Sequence, residues 1–254
     1  MIGKILGSGQ LGKLAGFVSP TFFEVMPAKV LWRSARALLT RSRDDAAFRR
    51  AVSDRRQQLA AQLPTVSLPQ QTAGLPRAAI DPDQRAAMVV ELYFHQLFHG
   101  TSSLLDIRAC AFTPNGHELQ WQPAPWIAEW APEFIAALRH VYLGFYTHDE
   151  AQFQLGLRAL ALAHSADLFR QQFGGEQREL RFRTADFVRT FHAVFQRCKQ
   201  HGTTLHGDFL PLGIYLAALY DHLQELAVAV DVAAAFERAT AQPEPSTREA
   251  VHHA

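Results

Sequence analysis

The sequence lacks the features of an exported or membrane-spanning protein. Only two of its 254 residues are cysteines, Cys110 and Cys198, so it forms at most one disulfide bridge and is not a disulfide-built scaffold. No uncharged stretch reaches the roughly 18 apolar residues that a membrane-spanning helix requires. Prolines and charges interrupt the first apolar run before a signal-peptide cleavage site appears. We therefore expect a cytoplasmic protein.

The chain also lacks an excess of charge of one sign. Its 25 Lys and Arg residues balance 24 Asp and Glu residues, for a formal net charge of +1. A general nucleic-acid binder needs a basic excess to neutralise phosphates, so we expect no nucleic-acid partner. The composition is that of an ordinary globular protein, and the length suits one large domain or two small ones.

Complete catalytic motifs are missing as well. The sequence has no Gly-x-Ser-x-Gly elbow and no cysteine in a recognisable nucleophile context, which gives no support for a hydrolase. Gly7-x-Gly9-x-x-Gly12 has the spacing of a dinucleotide-binding turn, but that unit needs a second parallel strand ending in an acidic residue about 20 positions later. A basic segment broken by Pro20 and Pro27 follows instead, which favours a flexible glycine-rich N-terminus.

What the chain does contain is an uneven distribution of charge. Residues 1–58 hold eleven Lys or Arg and four Asp or Glu, whereas the remainder is acidic. Apolar residues such as Val30, Leu31 and Leu38 recur there at helical spacing. A basic amphipathic helix is typical of contact with an anionic membrane surface or an acidic protein partner, and the alternative is a solvated face on packed helices. The predicted membrane contacts are Arg33, Arg36, Arg41 and Arg43.

Proline divides the chain into parts. Residues 64–82 contain four prolines and few charges, which predicts a linker or extended crossing. This linker separates the basic amphipathic helical segment, 1–63, from a body over 83–239. Residues 240–254 are polar and contain prolines, so we expect a disordered tail.

Within the body, periodicity predicts helices and one hairpin. Asp83 is the expected N-cap of a helix that ends near His99. Residues 107–121 alternate in polarity and contain Pro114-Asn115-Gly116, a strong hairpin-turn signal. Further helices are predicted at about 131–147, 149–172, 184–200, 208–228 and 230–238. The expected fold is mainly α, with one small β-hairpin.

Twelve histidines are many for this length, and they suggest a metal site as one alternative. Glu91, His95 and His99 lie at i, i+4 and i+8, on one face of the predicted helix, where they would suit a transition metal in a helical metalloenzyme. Such sites normally repeat a Glu-x-x-His pair on two helices, and this sequence has no such repetition. Histidines on half-buried helix faces are more often hydrogen-bonded core residues.

One short motif is similar to the catalytic loop of aminoglycoside phosphotransferase-like kinases. It is His206-Gly207-Asp208, in which the aspartate would act as the base. Gly213 occupies the position of the metal-binding asparagine, and helical sequence follows. We therefore expect Asp208 to cap the next helix.

A longer resemblance covers residues 86–236. Residues 89–107 read VVELYFHQLFHGTSSLLDI, residues 110–121 read CAFTPNGHELQW, and residues 122–153 read QPAPWIAEWAPEFIAALRHVYLGFYTHDEAQF. This order resembles the C-terminal lobe of the AarF/UbiB family of atypical kinase-like proteins. In that family a helix ending in Phe-His precedes the loop His-Ala-Asp-Pro-His-Pro-Gly-Asn, a hairpin, an Asp-Phe-Gly strand end and a Ser-Pro-Glu-Phe helix start. Residues 205–236 are similar to its closing helices. The resemblance implies a helical kinase C-lobe and a role in lipid or isoprenoid-quinone (ubiquinone) metabolism.

The catalytic residues of that family do not carry over. Thr101 stands where the family has its loop aspartate, and Asp106 stands near the Mg²⁺-binding asparagine, where it remains able to ligate a cation. The Asp-Phe-Gly position falls at about Pro123-Ala124-Pro125. Because phosphoryl transfer depends on these metal ligands and on a lysine, the resemblance implies a pseudokinase without a bound cofactor. The leading expectation is a non-catalytic accessory protein, peripheral at the inner membrane face.

A third expectation is a helical scaffold that binds a protein partner. Trp121, Trp126 and Trp130 lie close together around the QPAPW segment, and exposed tryptophans are favoured anchors at interfaces. Three tryptophans this close are as often a small packed cluster, and the sequence leaves both alternatives open.

Overall fold

The computed structural model describes residues 20–69, 79–175 and 177–241, and these residues form a mainly helical fold, as predicted. The glycine motif at Gly7, Gly9 and Gly12 and the predicted tail from residue 242 onwards lie outside the described residues. The α-helices of the described ranges are α1 (Pro20–Val25), α2 (Ala28–Ser42), α3 (Asp45–Gln62), α4 (Pro82–Phe98), α5 (Pro132–Tyr146), α6 (Glu150–Ala159), α7 (Ala166–Gln172), α8 (Thr184–Gln200), α9 (Phe209–Leu226) and α10 (Val232–Thr240).

Short strands in these ranges form three small sheets. They are β1 (Val66–Ser67), β2 (Ser102–Leu104), β3 (Phe112–Asn115), β4 (Glu118–Trp121), β5 (Ile127–Glu129), β6 (Glu179–Arg181) and β7 (Ala229–Asp231). β3 and β4 form an antiparallel hairpin, and β1 adds to β4 in parallel. β2 pairs antiparallel with β5, and β6 pairs antiparallel with β7. The sequence pattern did not predict β1, β2, β5, β6 or β7.

The predicted hairpin is confirmed over residues 112–121. Asn115 pairs with Glu118, so that Gly116 and His117 form the two-residue loop. Gly116 has a φ of +65°, a left-handed conformation that favours glycine and explains the turn signal in the sequence. Residues 109–111, which were expected in the first strand, instead form a 3₁₀ turn that leads into β3.

The predicted linker, 64–82, differs from the structure at its described ends. Val66 and Ser67 form β1, and Val66 and Leu68 are buried. Ile80 is also buried, directly before α4. Residues 66–68 therefore belong to the sheet and the core rather than to a free connection.

The N-terminal helices pack on the body and share its core. Val25, Met26 and Leu59 belong to the same buried apolar cluster as the body helices. Arg55 of α3 is itself buried, and its Nη2 donates to the carbonyl oxygen of Ser102 in β2 at 2.7 Å. A second backbone acceptor, the Leu68 carbonyl, binds the neighbouring arginine of α3. The described part of this segment, residues 20–62, is thus fixed to the body.

The bounds of two helices differ from the prediction. α4 begins two residues earlier than expected, because Asp81 and not Asp83 is its N-cap and accepts from the backbone of Asp83 and Gln84. The single helix predicted over 149–172 is two helices, α6 and α7. Ala161 between them has a φ of +58°, which a continuous helix does not allow.

The backbones of two helices approach each other closely at the α5–α6 crossing. A Cβ atom added to Gly156 would lie 2.6 Å from the backbone N of Val141 and 2.7 Å from the backbone O of Ala137. On the other side of the crossing, a Cβ on Gly144 would collide with the backbone of Phe153. The two glycines therefore permit direct backbone contact between α5 and α6.

Candidate functional site: the outer face of α2 and the adjoining cleft

Helix α2 has one buried face and one basic face. Leu31 and Leu38 are buried, and the helix packs against α3, α9 and β5. The helix has about 3.6 residues per turn. Residues that lie about a quarter to a half of a turn around the helix from these leucines therefore point outward. The exposed side chains of this outer face are Lys29, Trp32, Arg33, Arg36 and Arg43.

Trp32 distinguishes this face from an ordinary solvated basic face. Its side chain is 53% exposed, and it is one of three large hydrophobic residues of the described chain that are exposed. Tryptophan has an apolar body with one polar N–H, and it is enriched at the boundary between membranes and water. Trp32 lies next to Lys29, Arg33 and Arg36, so the outer face of α2 combines positive charge with an exposed apolar side chain.

The four arginines predicted as membrane contacts divide into two groups. Arg33, Arg36 and Arg43 are exposed on the outer face. Arg41 is half-buried and forms an ion pair with Glu129 of β5. Arg41 therefore joins α2 to the body, and the other three arginines are the ones that point away from it.

A cleft runs along the side of α2. It consists of two adjoining hollows of about 360 and 530 Å³, and both are lined by Arg33, Ser34 and Asp208. The loop at residues 204–208 closes one side, where Gly207 approaches α2 so closely that a Cβ would lie 2.5 Å from the Ser34 Oγ. Glu133 and His206 also line the larger hollow. The cleft thus presents charges of both signs beside the basic face.

Asp208 does not act as the helix cap that the sequence predicts. It precedes α9, but its side chain makes no capping hydrogen bond to that helix. Instead its Oδ2 accepts from the backbone N of Ala131 at 2.8 Å, at the start of α5. The His206 ring stacks on Phe134 with centroids 5.3 Å apart. The His206-Gly207-Asp208 motif therefore connects the beginnings of α5 and α9, a long-range contact that local sequence does not reveal.

The three candidate metal ligands on α4 each have another partner. Glu91 accepts from Arg238 of α10 at 2.6 Å, and burial raises the pKa of its carboxyl despite the arginine. His95 is buried and bonds to the Gln62 side chain at 2.9 Å, and His99 bonds to the backbone carbonyl of α10 at Ala239. In the described ranges, no group of three or more His, Cys, Asp or Glu side chains is placed to hold a metal ion.

The surroundings of His95 keep its ring neutral. Its Nδ1 is buried without a hydrogen-bond partner. Burial, together with the nearby Arg55 and His99, lowers the pKa of His95 from 6.5 to about 3. The ring therefore serves the folded core as a neutral hydrogen-bonding group.

Asp106 lies in the loop that follows β2, at the place where the family resemblance locates the catalytic loop. Both of its carboxylate oxygens bind Arg108, at 2.6 and 2.9 Å, and one also accepts from the backbone N of Ala124. Its carbonyl oxygen accepts from Trp121 Nε1. Asp106 thus joins its own loop to the Pro123-Ala124-Pro125 segment, whereas Thr101 precedes β2.

Two of the three predicted tryptophan anchors are not exposed. Trp121 is fully buried and stacks on Phe112, and Trp130 is buried and donates to Ser103 Oγ at 2.9 Å. Trp126 is half-buried. Of the two alternatives left open, three exposed anchors is the one that the structure does not support. The exposed tryptophan is Trp32, which lies about a quarter to a third of a turn away from Leu31 and Leu38 on the helical wheel.

The described helices include none that is both long and apolar enough to cross a membrane. Comparison with known proteins adds no assignment, since no family model and no curated protein matches the chain.

Proposed function

We propose that the protein is a kinase-like accessory protein that does not transfer phosphoryl groups and that binds an anionic membrane surface through α2. The observation that carries the proposal is the exposed Trp32 among the basic side chains of the α2 outer face. The resemblance to the AarF/UbiB family extends the proposal to lipid or isoprenoid-quinone metabolism at the inner membrane face.

The kinase-like part of the proposal is supported by the order and pairing of elements. α4, β2, a loop, the β3–β4 hairpin, β5 and α5 follow one another as in the resemblance. Because β2 pairs with β5, the loop after β2 meets the segment before β5, and Asp106 binds the backbone of Ala124. These are the two segments that supply Mg²⁺ ligands in a kinase lobe.

The same contacts favour a non-catalytic role. Arg108 neutralises Asp106, and the opposing segment, Pro123-Ala124-Pro125, contributes no carboxylate. With Mg²⁺ and ATP we therefore expect no ADP formation by the purified protein above a protein-free background. ADP formation that is lost in Asp106→Ala and retained in an exposed Asp45→Ala variant would contradict this part of the proposal.

Membrane binding is tested by sedimentation with vesicles. Each basic side chain at an anionic surface contributes about 1 kcal/mol, so Arg33→Glu, Arg36→Glu and Arg43→Glu combined are expected to weaken binding by about a hundredfold or more. Raising the salt concentration should weaken binding by the parent protein as well. Trp32→Ala should reduce binding without any change in charge, because it removes the apolar anchor.

The matched control replaces three exposed arginines outside α2 by glutamate, so that the net charge changes by the same amount. It combines Arg158→Glu, Arg181→Glu and Arg183→Glu, and it is expected to sediment like the parent protein. Equal sedimentation of the α2 variant and the parent protein would overturn the membrane proposal. Equal losses in both triple variants would do the same, because binding would then follow net charge rather than α2.

A further inference from the structure

An apolar cavity of about 80 Å³ lies in the interior between α4, α5, α7, α8 and α9. It is remote from the outer face of α2, because its lining includes no residue of α1, α2 or α3. The side chains around it are mostly aromatic and aliphatic. Those that matter for its occupant and its entrance are Phe94, Tyr142, Phe173, Phe191, Val194 and Leu216.

Four of the polar side chains that line the cavity bind one another in two pairs. The hydroxyls of Tyr93 and Tyr142 are 2.6 Å apart, and burial raises the pKa of Tyr142 to about 12. Gln172 donates to the hydroxyl of Tyr220. The surface that remains for an occupant is therefore mainly carbon, which disfavours water because a buried water needs two to four polar partners.

The outer wall of the cavity is only partly covered. Phe187, Ala217 and Tyr220 form a small apolar cluster of their own, apart from the main core. Phe191 and Leu216, which pack against this cluster, are half-buried. Side-chain rotation at these two residues would connect the cavity with the surface between α8 and α9.

We propose that this cavity binds the end of a hydrocarbon chain. An apolar cavity about twice as large stays dry and binds benzene, so this volume suits the terminal part of an acyl or prenyl chain, whose remainder leaves between α8 and α9. Dispersion contacts with the surrounding rings supply the attraction. The inference goes beyond membrane binding by α2 and does not depend on it, since the two surfaces share no residue.

The test uses cis-parinaric acid, a fatty acid whose fluorescence rises in apolar surroundings, below its micelle concentration and without vesicles. Saturable binding is expected, and unlabelled palmitate or farnesol should compete with it. Val194→Phe fills the cavity and is expected to weaken binding by about tenfold or more. The matched control is Val52→Phe on α3, a half-buried position outside the cavity, which should bind as the parent protein does.

A second variant, Leu216→Ala, tests the proposal even if Val194→Phe does not fold. Leu216→Ala enlarges the cavity and should therefore strengthen binding. Absence of saturable binding to the parent protein would overturn the proposal, as would binding that is unchanged in both cavity variants. The variant with Arg33, Arg36 and Arg43 changed to Glu should retain parinarate binding. Failure of chain binding and failure of membrane binding are therefore distinguished.

Discussion

Stability is expected to fall steeply as the pH is lowered from 6.5 towards 4, because two histidines are buried in the neutral form. Burial lowers the pKa of His222 from 6.5 to about 4 and that of His95 to about 3. About one pH unit or more above 6.5, neither ring is appreciably protonated in either state, so this contribution is fully present. Below pH 6.5 the unfolded chain binds protons that the folded protein excludes, and stability is lost until the pH reaches the folded pKa values.

The hydrogen bonds explain why the folded protein excludes these protons. Arg85 Nε donates to His222 Nε2, so the other ring nitrogen donates to the carbonyl of Ile107, and a second ring proton would face the guanidinium. His95 Nε2 bonds to Gln62, and a proton on its Nδ1 would be buried without an acceptor. With about 1.4 kcal/mol for each pKa unit, each histidine is expected to remove about 2 kcal/mol by about pH 5.

The measurement is urea unfolding of the full chain at pH 7.5 and at pH 5. His222→Gln and His95→Gln cannot titrate, so each variant should lose about 2 kcal/mol less stability between the two pH values than the parent protein does. His117→Gln, at an exposed position in the hairpin turn, should lose as much as the parent. An undiminished pH dependence in the double His95 and His222 variant would refute this explanation.

Gly156→Ala is expected to reduce the free energy of unfolding by about 3 kcal/mol or more. The added methyl would meet backbone atoms of Val141 and Ala137 at 2.6 and 2.7 Å. Backbone in the middle of a helix cannot rotate away as a flexible side chain does, so α5 and α6 must separate and lose apolar contact along their length.

Gly213→Ala is the matched control within another helix. Gly213 lies in α9, and a Cβ there meets no heavy atom within 4 Å. Because alanine is the better helix former, this variant should gain up to about 1 kcal/mol. The measurement is urea unfolding of both variants. If Gly156→Ala is as stable as Gly213→Ala, the argument from the helix crossing is contradicted.

Features set by local sequence were predictable, and those set by long-range contact were not. The Gly116 turn and the helix over residues 184–200 follow from local conformational preference and periodicity, and both were predicted closely. β2 and β5 are three-residue strands whose partners lie some 25 residues apart, so no period-2 pattern of useful length marks them.

In the candidate site, too, the features set by local sequence were predictable and those set by long-range contacts were not. The basic character of α2 was readable from charge counts, and the outward position of Arg33, Arg36 and Arg43 agrees with it. The pairing of Arg41 with Glu129 joins residues 88 positions apart, which composition and spacing cannot indicate. The helical wheel places Trp32 outside the buried stripe, about a third of a turn from Leu38.

If α2 binds a membrane as proposed, its attachment to the body determines the orientation of the whole protein. Leu31 and Leu38 are buried on the inner face of the helix, and the Arg41–Glu129 ion pair attaches its last turn to β5. A helix fixed in this way cannot act as a flexible tether. A membrane that binds its outer face would therefore set the tilt of the entire molecule, with the cleft that contains Arg33 and Asp208 opening along the headgroup layer.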